Sequence, residues 1–431
     1  ENVYSIAKSD IPALEEEAYV DYLKNYAAYM RWELQLTQFP NSMVETFTET
    51  WESVTNKVYN EGGYDKGLSR TGFFEDEADA LLEGITDPGE KARLIFNFIR
   101  DKVKWNEFYG FLPEKGTRAA YKDGEGNVGD INLLLTAMLK YAGLKANPVL
   151  VSTQDNGIPL FPTRQGFNYV VAGLELPGQF LLLDATDANA ALGELPKRAR
   201  NWQGRIITGA DTSEWVDLMP TTKSASSSII NLQFGEDFLV KGKLTDMYDG
   251  FYAKSFREEY AGINAEKYIE FLEKDKGNIT INDLQTENEK KVGETIKQSF
   301  TFDLQDEIEV INDRVYFQPL LFEAMEENPF KAEKRQLPIS FNFPSTRETT
   351  VNILVPDGYA VESLPESLIV NLNGGAGSFK YIVHQNGKFL RVNTVIDLNN
   401  ILYSSADYQA LKDFYAKIVD KQTEAIVLKK V

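Results

Sequence analysis

The sequence predicts an α+β chain: a partial N-terminal β segment, a central domain of helices plus antiparallel sheet, and a C-terminal β-sandwich with inserted helices. Three observations carry this. Apolar residues recur at helical spacing in two segments between 87 and 143. Two apolar runs follow, joined by Pro177-Gly178, a hairpin signal. Beyond residue 228, short runs alternate apolar and polar side chains at the regular spacing of a β-sandwich. The chain of 431 residues divides into 1–65, 66–221 and 222–431, in keeping with roughly 150 residues per domain.

Taken in order, Met30, Trp32, Leu34 and Leu36 alternate with polar residues, as in a half-buried strand. Thr48–Tyr59 turns helical, with Trp51, Val54 and Val58 at helical spacing. Asn60–Ser69, rich in Gly and polar residues, reads as a linker. A helix starts at Asp87-Pro88, where Asp is a good N-cap and Pro suits the first turn. A second helix runs over 130–141 and stops at Gly143. Strands follow over 148–152, 167–176 and 180–184. Residues 222–228, Thr-Lys-Ser-Ala-Ser-Ser-Ser, read as an interdomain linker. Short helices near 252–260 and 265–274 interrupt the later strands. Ile339, Phe341 and Phe343 alternate, as do Val351, Ile353 and Val355, and Phe379, Tyr381 and Val383. A helix with Tyr408, Leu411, Phe414, Tyr415 and Ile418 on one face, then a strand over 425–428, close the chain.

Composition removes several functional classes. With 43% hydrophobic and 26% charged residues, each domain can bury a core, which excludes global disorder. The net charge of −20 disfavours a phosphate backbone as partner, so no nucleic-acid binding is expected, and no run of Lys or Arg suggests a local exception. The absence of cysteine removes disulfides, thiolate metal sites and any cysteine nucleophile. One histidine, His384, leaves no His-rich zinc site, and its pattern places it on the solvent face of a strand. No tight transition-metal site and no cofactor are expected. Calcium held by clustered carboxylates stays open, although no EF-hand pattern occurs. No apolar run approaches the ~20 residues that span a bilayer, and no transmembrane segment or signal peptide is read. The start at Glu1, in mid-pattern, reads as a trimmed or mature chain.

Residues 85–210 hold the runs that carry chemistry. They are Gly126-Asn127-Val128-Gly129-Asp130-Ile131 with Tyr141-Ala142-Gly143 at the helix end, Phe167-Asn168-Tyr169-Val170, and Leu182-Leu183-Asp184-Ala185-Thr186. In order and spacing they resemble the transglutaminase-like (papain-like cysteine hydrolase) superfamily. That family sets a Cys at the start of a long helix, a His at the start of a strand, and an Asp in an apolar strand. A helix N-terminus lowers the thiol pKa, the imidazole shuttles the proton, and the carboxylate fixes its tautomer. Aligned on this frame, the nucleophile position holds Val128, the base position Tyr169, and only Asp184 is retained. Val offers no lone pair, and Tyr with its pKa near 10 is no imidazole. Residues 10–60 resemble the end of a β-sandwich domain that precedes such segments in Gram-negative envelope proteins. Residues 318–431, with Glu327-Asn328-Pro329-Phe330-Lys331, Arg335, Pro338 and Pro356-Asp357-Gly358-Tyr359, resemble its C-terminal companion of unknown function.

The resemblance implies a non-catalytic, transglutaminase-like pseudoenzyme, a binding or scaffolding module of an exported multidomain bacterial protein, periplasmic or at the cell surface. Two alternatives stand beside it. A residual hydrolase or peptidase would pair Asp130 with Asp184 and use Tyr169, whereas the ordinary reading makes Asp130 a helix cap and Asp184 a structural carboxylate. A cell-wall or carbohydrate-binding protein would present aromatic platforms. Trp105, Asn127, Asp130 and Asn168 are candidate cleft-lining residues, and Trp105, Tyr109 and Trp202 either line a groove or pack in the core. A protein, a peptide or a cell-wall glycan is the partner class implied. The frame also predicts that Val128, Tyr169 and Asp184 converge, with the Tyr hydroxyl donating to the carboxylate.

Overall fold

A computed structural model describes every residue except 1–4, 12, 31, 33, 48, 236, 237 and 275. Thr48, where the pattern starts the first helix, lies outside the described residues. The chain divides into two compact units, residues 1–219 and 220–431.

The first unit is built around a helix. α1 (Trp51–Asn56) continues as a π turn over Lys57–Glu61. Then come α2 (Tyr64–Ser69), α3 (Glu75–Leu81), α4 (Pro88–Lys102), α5 (Thr117–Asp123) and α6 (Val128–Tyr141). Asp87 caps α4 by accepting from the Glu90 N–H at 2.8 Å, with Pro88 in the first turn. α6 is buried on all sides: twelve of its fourteen residues are inaccessible, including Asp130, Asn132 and Thr136. A helix that is apolar all round needs cover all round. α2, α4 and α5 pack against it, as does a sheet of β1 (Lys145–Val151), β2 (Tyr169–Leu176), β3 (Gln179–Leu183), β4 (Gln203–Ile207) and β5 (Ser213–Asp217). The sheet is antiparallel, in the order β3-β2-β1-β4-β5. Gly178, at φ +79°, makes the β2–β3 turn that L side chains rarely adopt.

The second unit is strand-rich. Its eight-stranded sheet comprises β6 (Ser224–Phe234), β7 (Val240–Tyr248), β8 (Asn278–Glu287), β9 (Ile296–Gln305), β12 (Ser345–Leu354), β14 (Leu368–Leu372), β15 (Gly377–Asn386) and β16 (Phe389–Leu398). The order is β8-β9-β7-β6-β12-β16-β15-β14, with β6 and β12 parallel and every other pair antiparallel. A smaller sheet runs β10 (Glu309–Ile311), β11 (Arg314–Phe317), β17 (Ile426–Lys430) and β13 (Tyr359–Ser363). Both sheets share one apolar core with α9 (Tyr408–Gln422), whose Leu411, Phe414 and Ile418 are buried. α7 (Phe251–Tyr260) and α8 (Ala265–Glu273) interrupt the strands near the expected positions.

Three expectations are corrected. Residues 222–228 are no linker: Ser224 begins β6, an interior strand paired on both sides. Its Ser residues satisfy their backbone in two ladders, and composition alone does not reveal ladder partners. Residues 64–69 of the second expected linker form α2, with Tyr64 fully buried and its hydroxyl donating to the Phe111 carbonyl at 2.5 Å. The N-terminal alternation gives no half-buried face: Met30, Trp32, Leu34 and Leu36 are exposed, while Arg31 and Glu33 between them lie outside the described residues. Among the described residues of this segment, the strand pairing is Leu36–Thr37 with Glu45–Thr46. Alternation marks a face able to be buried, not the surface that buries it.

Candidate functional site

The start of α6 is closed by its own chain. Asn127 is the N-cap and accepts from the Asp130 N–H at 2.8 Å, while Asp130 accepts from the Asn127 N–H at 3.2 Å, a reciprocal capping box. Asp130 also accepts from the amides of Gly116 at 2.7 Å and Lys115 at 3.3 Å. Val128, the first helical residue, is 0% exposed. Its N–H donates to the Phe108 carbonyl at 3.4 Å, and the Asn127 amide donates to the Leu112 carbonyl at 3.0 Å. A Cβ on Gly129 would lie 2.4 Å from the Leu112 oxygen, so the strap of residues 108–112 rests directly on the first turn of the helix.

Tyr169, which belongs to the same apolar cluster as Val128, is also part of a buried polar network. The β2–β3 register pairs Ala172 with Leu183, which brings Asp184 to the Tyr169 end of β2. Tyr169 donates from Oη to Asp184 Oδ2 at 2.7 Å. Asp184 Oδ1 accepts from Thr186 Oγ1 at 2.7 Å, from the Thr186 N–H at 3.0 Å and from Asn132 Nδ2 at 2.9 Å. Arg198 donates from Nε to the Tyr169 hydroxyl at 3.0 Å and from Nη2 to Thr186 Oγ1 at 2.9 Å. Both hydroxyls thus accept from the guanidinium and donate to the carboxylate, which leaves neither a spare proton. Asn132 completes its bonding through the Val170 carbonyl at 2.9 Å and the Ala185 N–H at 3.0 Å. Tyr169, Asp184 and Asn132 are each 0% exposed. Burial, then the negative charge of Asp184, push the Tyr169 phenol well above its usual pKa, against the pull of Arg198. A phenol so placed stays protonated and serves as a donor, not a base.

Aromatic rings cover the network. The Arg198 guanidinium lies 4.5 Å from the Trp105 ring centre and 5.7 Å from that of Tyr169. Trp105 stacks on Tyr109 at 5.8 Å, and Tyr109 meets Tyr169 edge-on at 5.5 Å. The Trp105 indole N–H donates to the Phe108 carbonyl at 3.0 Å, which ties the cover to the strap.

The structure therefore brings Val128 and Tyr169 into one buried apolar cluster and joins Tyr169 to Asp184. Asp130 and Asp184 share no hydrogen-bond partner: backbone amides hold the first, and side chains plus one amide hold the second. Asn127 caps the helix, and half-buried Asn168 bonds Thr153 through both amide atoms, at 2.9 and 2.7 Å. Trp202 is 49% exposed, and His384 is exposed on β15. Thr186 stands in the run that also carries Asp184, but two members of the network, Asn132 and Arg198, escaped the sequence reading. Asn132 had a signal, as a polar residue inside an otherwise apolar helix. Arg198 had none. Among the described residues, no group of three or more His, Cys, Asp or Glu could hold a metal ion, and no helix is long and apolar enough to cross a membrane.

Comparison with known proteins identifies two domains in the chain. Residues 75–185 match the family model of the transglutaminase-like superfamily, and residues 313–428 match that of a domain of unknown function, DUF3858. The chain thus carries a transglutaminase-like domain followed by a DUF3858 domain. Among solved structures it is similar to a crystal structure described as a "putative protease" from Parabacteroides distasonis ATCC 8503, at 11% identity and a TM-score of 0.49. The match covers 93% of this chain and 63% of that one, so the chain spans less than two thirds of its length. No curated protein matches.

Proposed function

We propose that the transglutaminase-like domain is a pseudoenzyme, with Val128 and Tyr169 at the nucleophile and base positions, and that it acts as a rigid scaffolding module in a larger exported protein. The single observation that carries this reading is the burial and bonding of Asp184. It is 0% exposed and already accepts four hydrogen bonds from this chain's own Tyr169, Thr186 and Asn132, with a phenol standing where an imidazole would have to be oriented. The sequence supports it from another side. The chain contains no cysteine, and its one histidine is exposed on a strand of residues 220–431. A carboxylate-based hydrolase finds less support, since Asp130 and Asp184 are held in separate hydrogen-bond sets. The envelope setting rests on the resemblance of the flanking segments, and cell fractionation tests it. The function test is an assay of the purified chain for amine incorporation into glutamine peptides and for peptide hydrolysis. We expect no turnover above buffer. Sustained turnover that disappears in Asp184→Asn would overturn the reading.

A further inference from the structure

We propose that the groove between α2 and α5 binds a compact polyanion bearing phosphate or carboxylate groups. The groove has a volume of about 560 Å3, within the range of small-molecule sites. Five basic and two acidic side chains line it, an excess of three positive charges on a chain whose net charge is −20. Lys115 is engaged by Glu125 at 3.4 Å and Asp123 at 4.0 Å. Lys66, Arg70, Arg118 and Lys122 have no ion pair among the described residues, although acidic residues outnumber basic ones 65 to 45.

The arrangement opposes local stability. Lys66 and Arg70 are one turn apart at α2, and Arg118 and Lys122 are one turn apart on α5. Like charges at that spacing weaken a helix. The dipole favours Lys122 at the end of α5, but it disfavours Arg118 in the first turn, where no acidic residue balances it. The two helices are held side by side by small residues: a Cβ on Gly67 of α2 would touch Thr117 Cγ2 of α5 at 3.6 Å. Asp130 fixes the Lys115–Gly116 amides at the start of α5. The buried framework thus presents four cations without ion-pair partners around one cavity, against the two carboxylates of Glu61 and Glu114. Two guanidiniums can each grip a phosphate or carboxylate through two parallel hydrogen bonds, and the lysines add charge without fixed geometry.

The test uses the full chain, with inorganic triphosphate and citrate as separate probes in titration calorimetry at low ionic strength. We expect saturable 1:1 binding of at least one probe, weakened by added salt. Arg70→Gln and Arg118→Gln should each weaken it about tenfold or more, the loss expected for a charge-assisted hydrogen bond. Lys290→Glu, a larger charge change remote in sequence, should leave binding unchanged, and circular dichroism should show every variant folded. Binding of triphosphate alone assigns the site to phosphate, whereas binding of both probes, or of citrate alone, extends it to carboxylate. No binding of either probe at millimolar concentration overturns the proposal. So does binding that both arginine variants retain in full.

Discussion

At the scale of single residues, Asp184 and Tyr169 form the centre of a buried hydrogen-bond network. A buried carboxylate is tolerated only when its acceptors are filled and a positive charge lies near, and Asp184 meets both conditions through Tyr169, Thr186, Asn132 and Arg198. Removing it strands the hydroxyls, the Asn132 amide and the Arg198 charge together. Asp184→Ala should therefore destabilise residues 1–219 by at least about 3 kcal/mol, the cost of breaking a buried charged set. Tyr169→Phe removes one hydroxyl and should cost about 1–3 kcal/mol. All five tryptophans lie within residues 1–219, so denaturation followed by Trp fluorescence reads this unit alone. A smaller loss in Asp184→Ala than in Tyr169→Phe would contradict the network as described. The second unit holds a different carboxyl. Asp246 on β7 is buried, accepts from Ser228 Oγ at 2.6 Å, and has its pKa raised to about 7 by burial and then by the charge of Glu323. The folded value lies above the ordinary 3.8, so the folded state holds the proton more tightly than the unfolded one. The group's contribution is complete below about pH 4 and is lost as pH rises towards about 7, by at most about 1.4 kcal/mol per pH unit. Urea unfolding followed by circular dichroism should show this decline, and Asp246→Asn should flatten it. An identical pH profile in the variant would rule the group out.

At the scale of elements, the start of α6 and the strap of residues 108–112 form one device. Within a helix, Gly→Ala ordinarily stabilises by about 1 kcal/mol. At Gly129 the new methyl would meet the Leu112 oxygen at 2.4 Å and the Pro113 nitrogen at 2.8 Å, both backbone atoms that cannot step aside cheaply. Gly129→Ala should therefore destabilise the unit by about 1–3 kcal/mol, as overpacking does. A gain in the fluorescence-detected midpoint would mean that the strap does not rest on the helix. The elements also show what one sequence discloses. α4, α6, α9 and the β2–β3 hairpin were legible because periodicity, caps and turn residues agree locally. β6 was not, since Ser-rich sequence gives no sign of ladder partners on either side. Tyr169 and Asp184 could be foreseen as hairpin neighbours. Arg198 reaches them from a 3-10 turn over Lys197–Ala199 that no pattern announces.

At the scale of the whole molecule, the uneven charge is informative. The sequence shows 65 acidic against 45 basic residues and no basic run, so the positive groove between α2 and α5 was invisible until two segments some fifty residues apart came together. The exposed Met30, Trp32 and Leu34 likewise appear amphipathic in sequence, yet nothing there specifies what covers them. The central claim, that the site is a sealed structural network, is tested most directly through another whole-chain property, the complete absence of cysteine. Val128→Cys places a single thiol at the first residue of α6, in the position the frame reserves for a nucleophile. Its rate of reaction with a thiol reagent can then be measured in the native chain and in urea. The account predicts a native rate at least about 100-fold below that of the unfolded chain, because reaction must await opening of the strap. A native thiol that reacts as fast as the unfolded one, or faster, would show an open and activated site and would contradict the account.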